Sequence, residues 1–333
     1  MRSRYGILNL CRGHRFSESV LGQRTSPYLQ EKLVLLGSEH IFGAVPLLAE
    51  SLLGISVSAS SVFRTCQAVS EQIEPTDLQT PSVPLKAHLA DPKQTTYGML
   101  DGSFLLTLEG WQETKVGRVF GAYPYSDIAT RELGWTMDDS EYVAHRGHYL
   151  HFTRAFEKLF PPQSATRKVV ISDGAAWIAP WVSLTYPDAV HILDLFHVLE
   201  KVAVVAQDAL DTEQWFEQQK QALLASQLTD VLVAIDSIEC RDKVQQAQIR
   251  SYLVNHRSQM DYADYRSQGW MVSSGPIESA HRTLLQVRMK RSGQRWSEKG
   301  CDKMIQLRVA YRSGKAKLIT DVFRKRKTAL TQD

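Results

Sequence analysis

The sequence predicts an α/β protein built on a mixed sheet, with a helical segment before the sheet and a helical insertion within it. Three observations carry this. Strand-like apolar runs cluster between residues 95 and 123 with short turns between them, the pattern of antiparallel neighbours. Two later runs, 168–172 and 190–195, are each followed by helical sequence, the βα alternation of a sheet with parallel strands. From Asp208 to about Gln268 the chain turns Gln-rich and helical in period, with no strand pattern.

Size and composition bound the answer. A chain of 333 residues, 43% hydrophobic and 23% charged, can form two or three domains with a substantial core. No apolar run approaches the ~18–20 residues of a membrane span, and Arg2 and Arg4 precede no apolar stretch of the signal-peptide kind. Neither membrane nor export is therefore expected. Cys11, Cys66, Cys240 and Cys301 are scattered without a C-x-x-C pair, which suits a reduced, cytoplasmic protein without a complete zinc site. The net charge of +3 hides an asymmetry: residues 281–333 hold 15 Lys and Arg against 4 Asp and Glu, so the first 280 residues carry −8. A basic end on an acidic body fits a polyanion partner, or equally a solvated lysine-rich helix.

Taken in order, residues 1–24 are polar and irregular. From Ser26-Pro27 the apolar spacing gives one helix through Leu29, Leu33, Val34 and Leu36, and a second from Ile41 to Leu53 closed by Gly54. Ser58 caps a third, running to Ile73. Two helices joined by a short Gly-containing turn, with Arg64 exposed on the second, make a helix-turn-helix pattern for DNA over 25–74, or a plain helical hairpin. Pro75, Pro81, Pro84 and Pro92 mark a linker at 75–93. The main domain then spans 94–318. It opens with a strand ending at Asp101, followed by strands at Phe104–Leu108 and Val116–Tyr123 in an antiparallel meander. Residues 140–160 are helical in period; Lys168–Ser172 and Val190–Leu195 are strands; 208–268 is the helical insertion. A helix from Pro276 runs past Arg288, breaks at Ser292-Gly293, and another covers Ser297–Tyr311. A frayed basic tail, 319–333, ends the chain.

Asp101 and Asp173 each close an apolar run and precede Gly, while Glu278 stands at a helix start. Each alone has an ordinary explanation: Asp-Gly is a turn dipeptide, and an acid in a first helical turn suits the helix dipole. Together they could hold divalent metal over a phosphodiester, because hard cations such as Mg²⁺ take carboxylate oxygens. Without metal, acids about 4 Å apart repel by about 4 kcal/mol at an effective dielectric near 20, so one would take up a proton.

The acids sit in a series of blocks: Met99-Leu100-Asp101-Gly102-Ser103, Trp111-Gln112-Glu113-Thr114-Lys115-Val116-Gly117, Ile171-Ser172-Asp173-Gly174-Ala175-Ala176-Trp177-Ile178, Ile192-Leu193-Asp194-Leu195-Phe196-His197-Val198, Gly275-Pro276-Ile277-Glu278-Ser279, and Arg288-Met289-Lys290-Arg291-Ser292-Gly293-Gln294-Arg295-Trp296-Ser297. In this order, over roughly residues 25–315, the chain resembles the DDE transposases of bacterial insertion sequences, most closely the ISKra type. The resemblance implies an RNase H-like fold with the helical insertion between second Asp and Glu. It implies Asp101, Asp173 and Glu278 as ligands of two Mg²⁺ ions, with Mn²⁺ as the substitute. Asp194 and His197 match a D-x-x-H element, with His197 against the scissile phosphate, orienting a carboxylate, or simply packed in the core. His281, Arg282, Arg288, Lys290, Arg291 and Arg295 would meet DNA phosphate, and Trp296 would stack on a displaced base or pack in the core. The implied partners are double-stranded DNA, at element ends and target, and further copies of the chain in a homodimer or larger assembly. Relatives of this kind often carry more N-terminal sequence with cysteine pairs that suggest a zinc ribbon, of which Cys11 would be the one remnant, so the resemblance implies either a truncated chain or one begun at an internal start. Two other readings stay open: a non-catalytic DNA-binding protein derived from a truncated transposase, and an RNase H-like nuclease that cuts without joining.

Overall fold

Local chemistry sets the helical segment as expected. The Ser26 hydroxyl accepts the Leu29 amide and Pro27 takes the first helical position, starting α1 (Pro27–Glu39). α2 (Val45–Leu53) ends on Gly54 at φ 64°, and α3 (Ala59–Ser70) starts where the Ser58 hydroxyl accepts the Ser61 amide. The computed structural model describes residues 2–3, 6–7, 25–81, 95–126, 133–138, 140–163 and 167–329. Most of the 1–24 tail and the linker between 82 and 93 lie outside the described residues.

The sheet differs from the expected meander in two places. β1 (Thr95–Thr107) is one continuous strand through Asp101, because β2 (Gly110–Ser126) pairs with it along its full length, from Thr95 opposite Ala122 to Thr107 opposite Gly110. A ladder of that length holds Asp101-Gly102-Ser103 extended where the sequence suggested a turn. β3 (Leu133–Met137) pairs with the far end of β2. β4 (Glu141–Arg146) pairs antiparallel with 114–119 of β2, where a helix was expected from residue 140. Gly147 at φ 99° then turns the chain, and α4 (Tyr149–Leu159) follows. β5 (Arg167–Ser172) runs parallel to β1, and β6 (Val190–Leu193) parallel to β5. The sheet of six strands has the order β3-β2-β1-β5-β6, with β4 also on β2.

One face of the sheet packs on Phe152, Phe156 and Leu159 of α4 and on Ile178 and Val182 of α5 (Ile178–Thr185). The other face belongs to the larger core that the remaining helices share. They are α6 (Leu195–Ala206), then the insertion helices α7 (Thr212–Leu224), α8 (Leu228–Ser237), α9 (Lys243–Asn255) and α10 (Tyr262–Ser267). The strandless 208–268 segment is thus helical as read. α11 (Gly275–Ala280) continues into a π-helical stretch, His281–Gln286, and a last turn to Met289. After a break come α12 (Glu298–Arg312) and α13 (Ala316–Ala329). Arg324–Lys327 therefore fall within a helix and not in a frayed tail.

The N-terminal helices share one core with the rest of the chain. Leu33, Val62 and Cys66 belong to the same buried cluster as Met304, Leu307 and Ile319, and as Met99 and Ile171 of the sheet. Polar bonds reinforce the union: Ser70 donates to the Lys303 carbonyl at 3.0 Å, Lys315 donates to the Leu78 carbonyl at 2.6 Å, and Lys303 pairs with Glu71. Arg288 and Arg308 are 0% exposed and donate into the same seam, Arg288 to Gly37 O at 2.9 Å and Arg308 to Ser38 O at 2.5 Å. No helix among the described residues is long and apolar enough to cross a membrane.

Candidate active site

Register builds the site. Leu100 pairs with Ser172, and Ser172 with Leu193. The next residues, Asp101, Asp173 and Asp194, therefore form one row at the C-terminal edge of three adjacent parallel strands, all on the same parity. Asp101 lies within β1, at the point where its parallel neighbour ends. Gly102 makes no turn there, and its amide donates to Asp101 Oδ1 at 2.7 Å. At Asp173 the expected turn is present. Gly174 has φ 78°, and a Cβ at that position would lie 2.7 Å from both the Leu193 side chain and the Tyr252 hydroxyl. That hydroxyl donates to the Asp173 carbonyl at 2.7 Å, tying the helical insertion to the second acid.

Asp194 is the hub of the edge. It is 1% exposed and caps α6 by accepting the Phe196 amide at 3.1 Å. The same Oδ1 accepts the Ser274 amide at 2.9 Å, and Oδ2 meets His197 Nδ1 at 2.5 Å. This contact holds His197 as an imidazolium: the hydrogen bond to Asp194 outweighs desolvation, and the charges of Asp194, Asp101 and Asp173 add to it, raising its pKa to about 9. Because the folded value lies above the unfolded one near 6.5, this stabilisation is complete below pH ~6.5 and lost as pH rises through ~9. At the side chain's 26% exposure the effect is at most about 3 kcal/mol. Denaturation of metal-free protein from pH 6.5 to 9.5 should show this loss, and His197→Gln should flatten it. An unchanged slope in the variant would rule out the assignment.

Glu278 reaches the site from α11. Its Oε1 accepts the Ser274 hydroxyl at 3.1 Å, and the helix is held to the sheet by Arg118, which donates to the Pro276 carbonyl at 2.7 Å. A cleft of about 640 Å³ is lined by Asp101, Glu278, His281, Arg282 and Lys290. Burial raises the Asp101 carboxyl to about 6; the His197 charge opposes this, and Asp173 and Asp194 reinforce it. His281 is 5% exposed, with Nε2 3.4 Å from Asp101 Oδ2 and no hydrogen-bond partner. Burial, helped by the charges of Lys290 and His197, lowers it to about 4, so it is a neutral imidazole.

The donor chemistry suits a hard divalent cation: the carboxylates of Asp101 and Glu278 line one cleft, beside an unpartnered imidazole nitrogen of His281. Among the described residues, however, no three of His, Cys, Asp and Glu stand close enough to hold one ion together. Asp101 and Glu278 share the cleft. Asp173 joins them through register and through its field on Asp101 and His197, not as part of the cleft wall.

The basic residues divide. Arg64, Arg282, Lys290, Arg291 and Arg295 are exposed. Arg288, expected on phosphate, is instead buried between the rings of Phe42 and Trp296, 4.5 and 5.2 Å from its guanidinium, and serves the seam with α1. His281 likewise faces Asp101 and not solvent. Trp296 is buried and donates to the Met289 carbonyl at 3.1 Å, so it packs and does not stack on a base. Sequence reasoning missed Arg118, whose partner lies 158 residues away, and the exposed pair Phe104 and Trp111 on the cleft wall. The pairing of two apolar runs around Gly110 was the available signal for the latter.

No curated protein matches the chain. A family model described as an uncharacterised protein family, UPF0236, matches residues 154–326. The match takes in Asp173, the helical insertion, Glu278 and the basic segment after it, and it covers just over half of the chain. The protein belongs to the UPF0236 family.

Proposed function

We propose that this protein is a DNA transposase of the DDE class. The observation that carries the reading is the carboxylate row at the edge of parallel strands, with Glu278 brought to the cleft of its first member, Asp101, by a helix that leads into a basic segment. The strand order supports an RNase H-like sheet: antiparallel strands β4, β2 and β1 continue into the parallel pair β5 and β6. The arrangement of α2 and α3, with Arg64 exposed, supports a helix-turn-helix that holds element ends.

Asp101, Asp173 and Glu278 would hold Mg²⁺, or Mn²⁺, as a pair of ions; such ions offset charge on the attacking and leaving oxygens of phosphodiester exchange. His197 would offer its imidazolium N–H to the scissile phosphate, while Lys290 and Arg282 hold the strand's backbone. Water adds to phosphorus and the element's 3′ oxygen leaves as a hydroxyl. That hydroxyl then attacks a target phosphodiester, displacing the target's 3′ oxygen. Joining two ends calls for a dimer or larger assembly on DNA, acting in the cytoplasm at the nucleoid.

The test is cleavage and joining of a duplex carrying the element's terminal repeats, with wild type, Asp173→Asn and Glu278→Gln in parallel. Mg²⁺-dependent products should fall by roughly 10²–10³-fold or more in both variants, with DNA affinity in Ca²⁺ unchanged within about two-fold. Cleavage that survives either change would overturn the triad. Because no three acids converge among the described residues, a DNA-binding protein without catalysis is the second reading; salt-sensitive binding with no cleavage by any of the three proteins would favour it. Cutting without joining of pre-cut ends would point to a nuclease.

A further inference from the structure

Two large aromatic rings stand in water at the mouth of the acid cleft. Trp111 is 66% exposed and Phe104 is 55% exposed, and both line the cleft that Asp101, Glu278, Arg282 and Lys290 also line. Clustered exposed apolar groups mark a binding surface more often than chance placement. The strand register defines their geometry: Phe104 lies opposite Glu113 and Leu106 opposite Trp111. Phe104 and Trp111 are thus diagonal neighbours on one face of the β1–β2 hairpin. Diagonal neighbours of an antiparallel pair lie about 7–8 Å apart, within reach of aromatic side chains. A base has an apolar π-face that stacks on such exposed rings whatever its sequence.

The platform is anchored. The Leu108 amide donates to the Trp296 carbonyl at 2.9 Å, and the Trp296 amide to the Leu106 carbonyl at 3.1 Å, fixing the hairpin tip to the segment before α12. Arg282 and Lys290 line the same cleft, so a ligand with a flat apolar part and an anionic backbone matches both sets of groups. An apolar peptide would leave the cations unmatched. A fully paired duplex keeps its bases stacked inward and offers the aromatic wall nothing.

We propose that Phe104 and Trp111 offer a stacking surface to an unpaired nucleotide bound in this cleft, so that the substrate is a DNA strand with a base displaced from its helix. This rests on the nucleic-acid reading above and specifies the form of the substrate.

The experiment measures affinity in Ca²⁺, by anisotropy, for a blunt duplex and for the same duplex with one unpaired base, using wild type, Trp111→Ala, Phe104→Ala and Trp111→Phe. Wild type should prefer the unpaired probe by about ten-fold, the scale of one base–aromatic stack. Each Ala variant should lose that preference while binding blunt duplex as wild type does, and Trp111→Phe should keep most of it. With 2-aminopurine at the unpaired position, emission should be quenched by wild type and recover in Trp111→Ala. Equal affinity of wild type for both probes, or a preference that survives both Ala variants, overturns the inference and leaves the transposase reading standing. Failure of folded wild type to bind any probe overturns both. Both rings are exposed, so thermal melting of the variants should match wild type and separate loss of contact from loss of fold.

Discussion

Asp101→Asn should abolish metal-dependent cleavage and, in the same protein, raise the stability of the metal-free fold. The second effect follows from the burial of this carboxyl beside other acids. Burial and the neighbouring Asp173 and Asp194 raise the Asp101 carboxyl to about 6 against the pull of His197. Its side chain is 15% exposed, so solvent relieves little of this. A carboxylate whose folded value lies above its unfolded value of ~3.9 destabilises the fold once both states are ionised. The penalty is absent below pH ~4, grows between pH ~4 and ~6, and is complete above that. At 1.36 kcal/mol per unit, and allowing for relaxation, it is about 1–3 kcal/mol. Asn is close in shape and keeps an oxygen for the Gly102 amide now bound by Oδ1. Chemical denaturation in chelator should therefore find Asp101→Asn the more stable protein at pH 7, with the gap narrowing toward pH 5. Mg²⁺ should stabilise wild type and close the gap from the other side. A variant less stable than wild type at pH 7 would mean that the fold does not penalise the ionised Asp101 carboxyl. Residual cleavage would remove Asp101 from the ligand set.

Much of this site was legible because its parts are local. An apolar run that ends in Asp-Gly puts a carboxylate at a sheet edge, and a Gly-Pro start puts Glu278 in a first helical turn. Helix limits at Ser26, Gly54 and Ser58 followed from capping chemistry for the same reason. Two errors came from extending a local pattern too far. The aromatic spacing of Tyr149, Phe152 and Phe156 continues in period back to Tyr142 across Gly147, which masks the strand at Glu141–Arg146. Asp101-Gly102 resembled a turn, but pairing along the whole of β2 overrode that preference. What the sequence hides is long-range partnership. Arg288 looked like a surface cation because buried arginines are rare; its carbonyl partner is 251 residues away, and its aromatic neighbours include Phe42 of the N-terminal segment. The linker composition near residue 90 likewise says nothing of how the helices before it pack, and they share a core with α12 and α13.

Arg308→Ala should be the most damaging single change outside the acid row, costing about 3–5 kcal/mol. The guanidinium is fully buried and donates to three main-chain carbonyls, those of Ser38, Thr283 and Leu284, with Glu39 Oε1 3.6 Å away. Its burial lowers its pKa to about 10, which still leaves it charged at neutral pH. Alanine would remove every donor at once and leave the carbonyls buried beside an unfilled cavity. Lysine should rescue poorly, because one ammonium on a flexible stem cannot reproduce a planar fork aimed at separate acceptors. The position also links stability to the site. Thr283 and Leu284 belong to the π-helical stretch that directly follows the Glu278 helix, while Ser38 belongs to α1. Arg308 therefore fixes the segment that sets where Glu278 enters the cleft, using the N-terminal helices as its other anchor. Thermal and urea denaturation of Arg308→Ala and Arg308→Lys give the first readout. The second comes from any protein that still folds: its Mg²⁺-dependent gain in stability should be smaller than in wild type, because Glu278 on α11 is no longer held in the cleft beside Asp101. An Arg308→Ala protein within about 1 kcal/mol of wild type would show that the buried fork does not hold this seam.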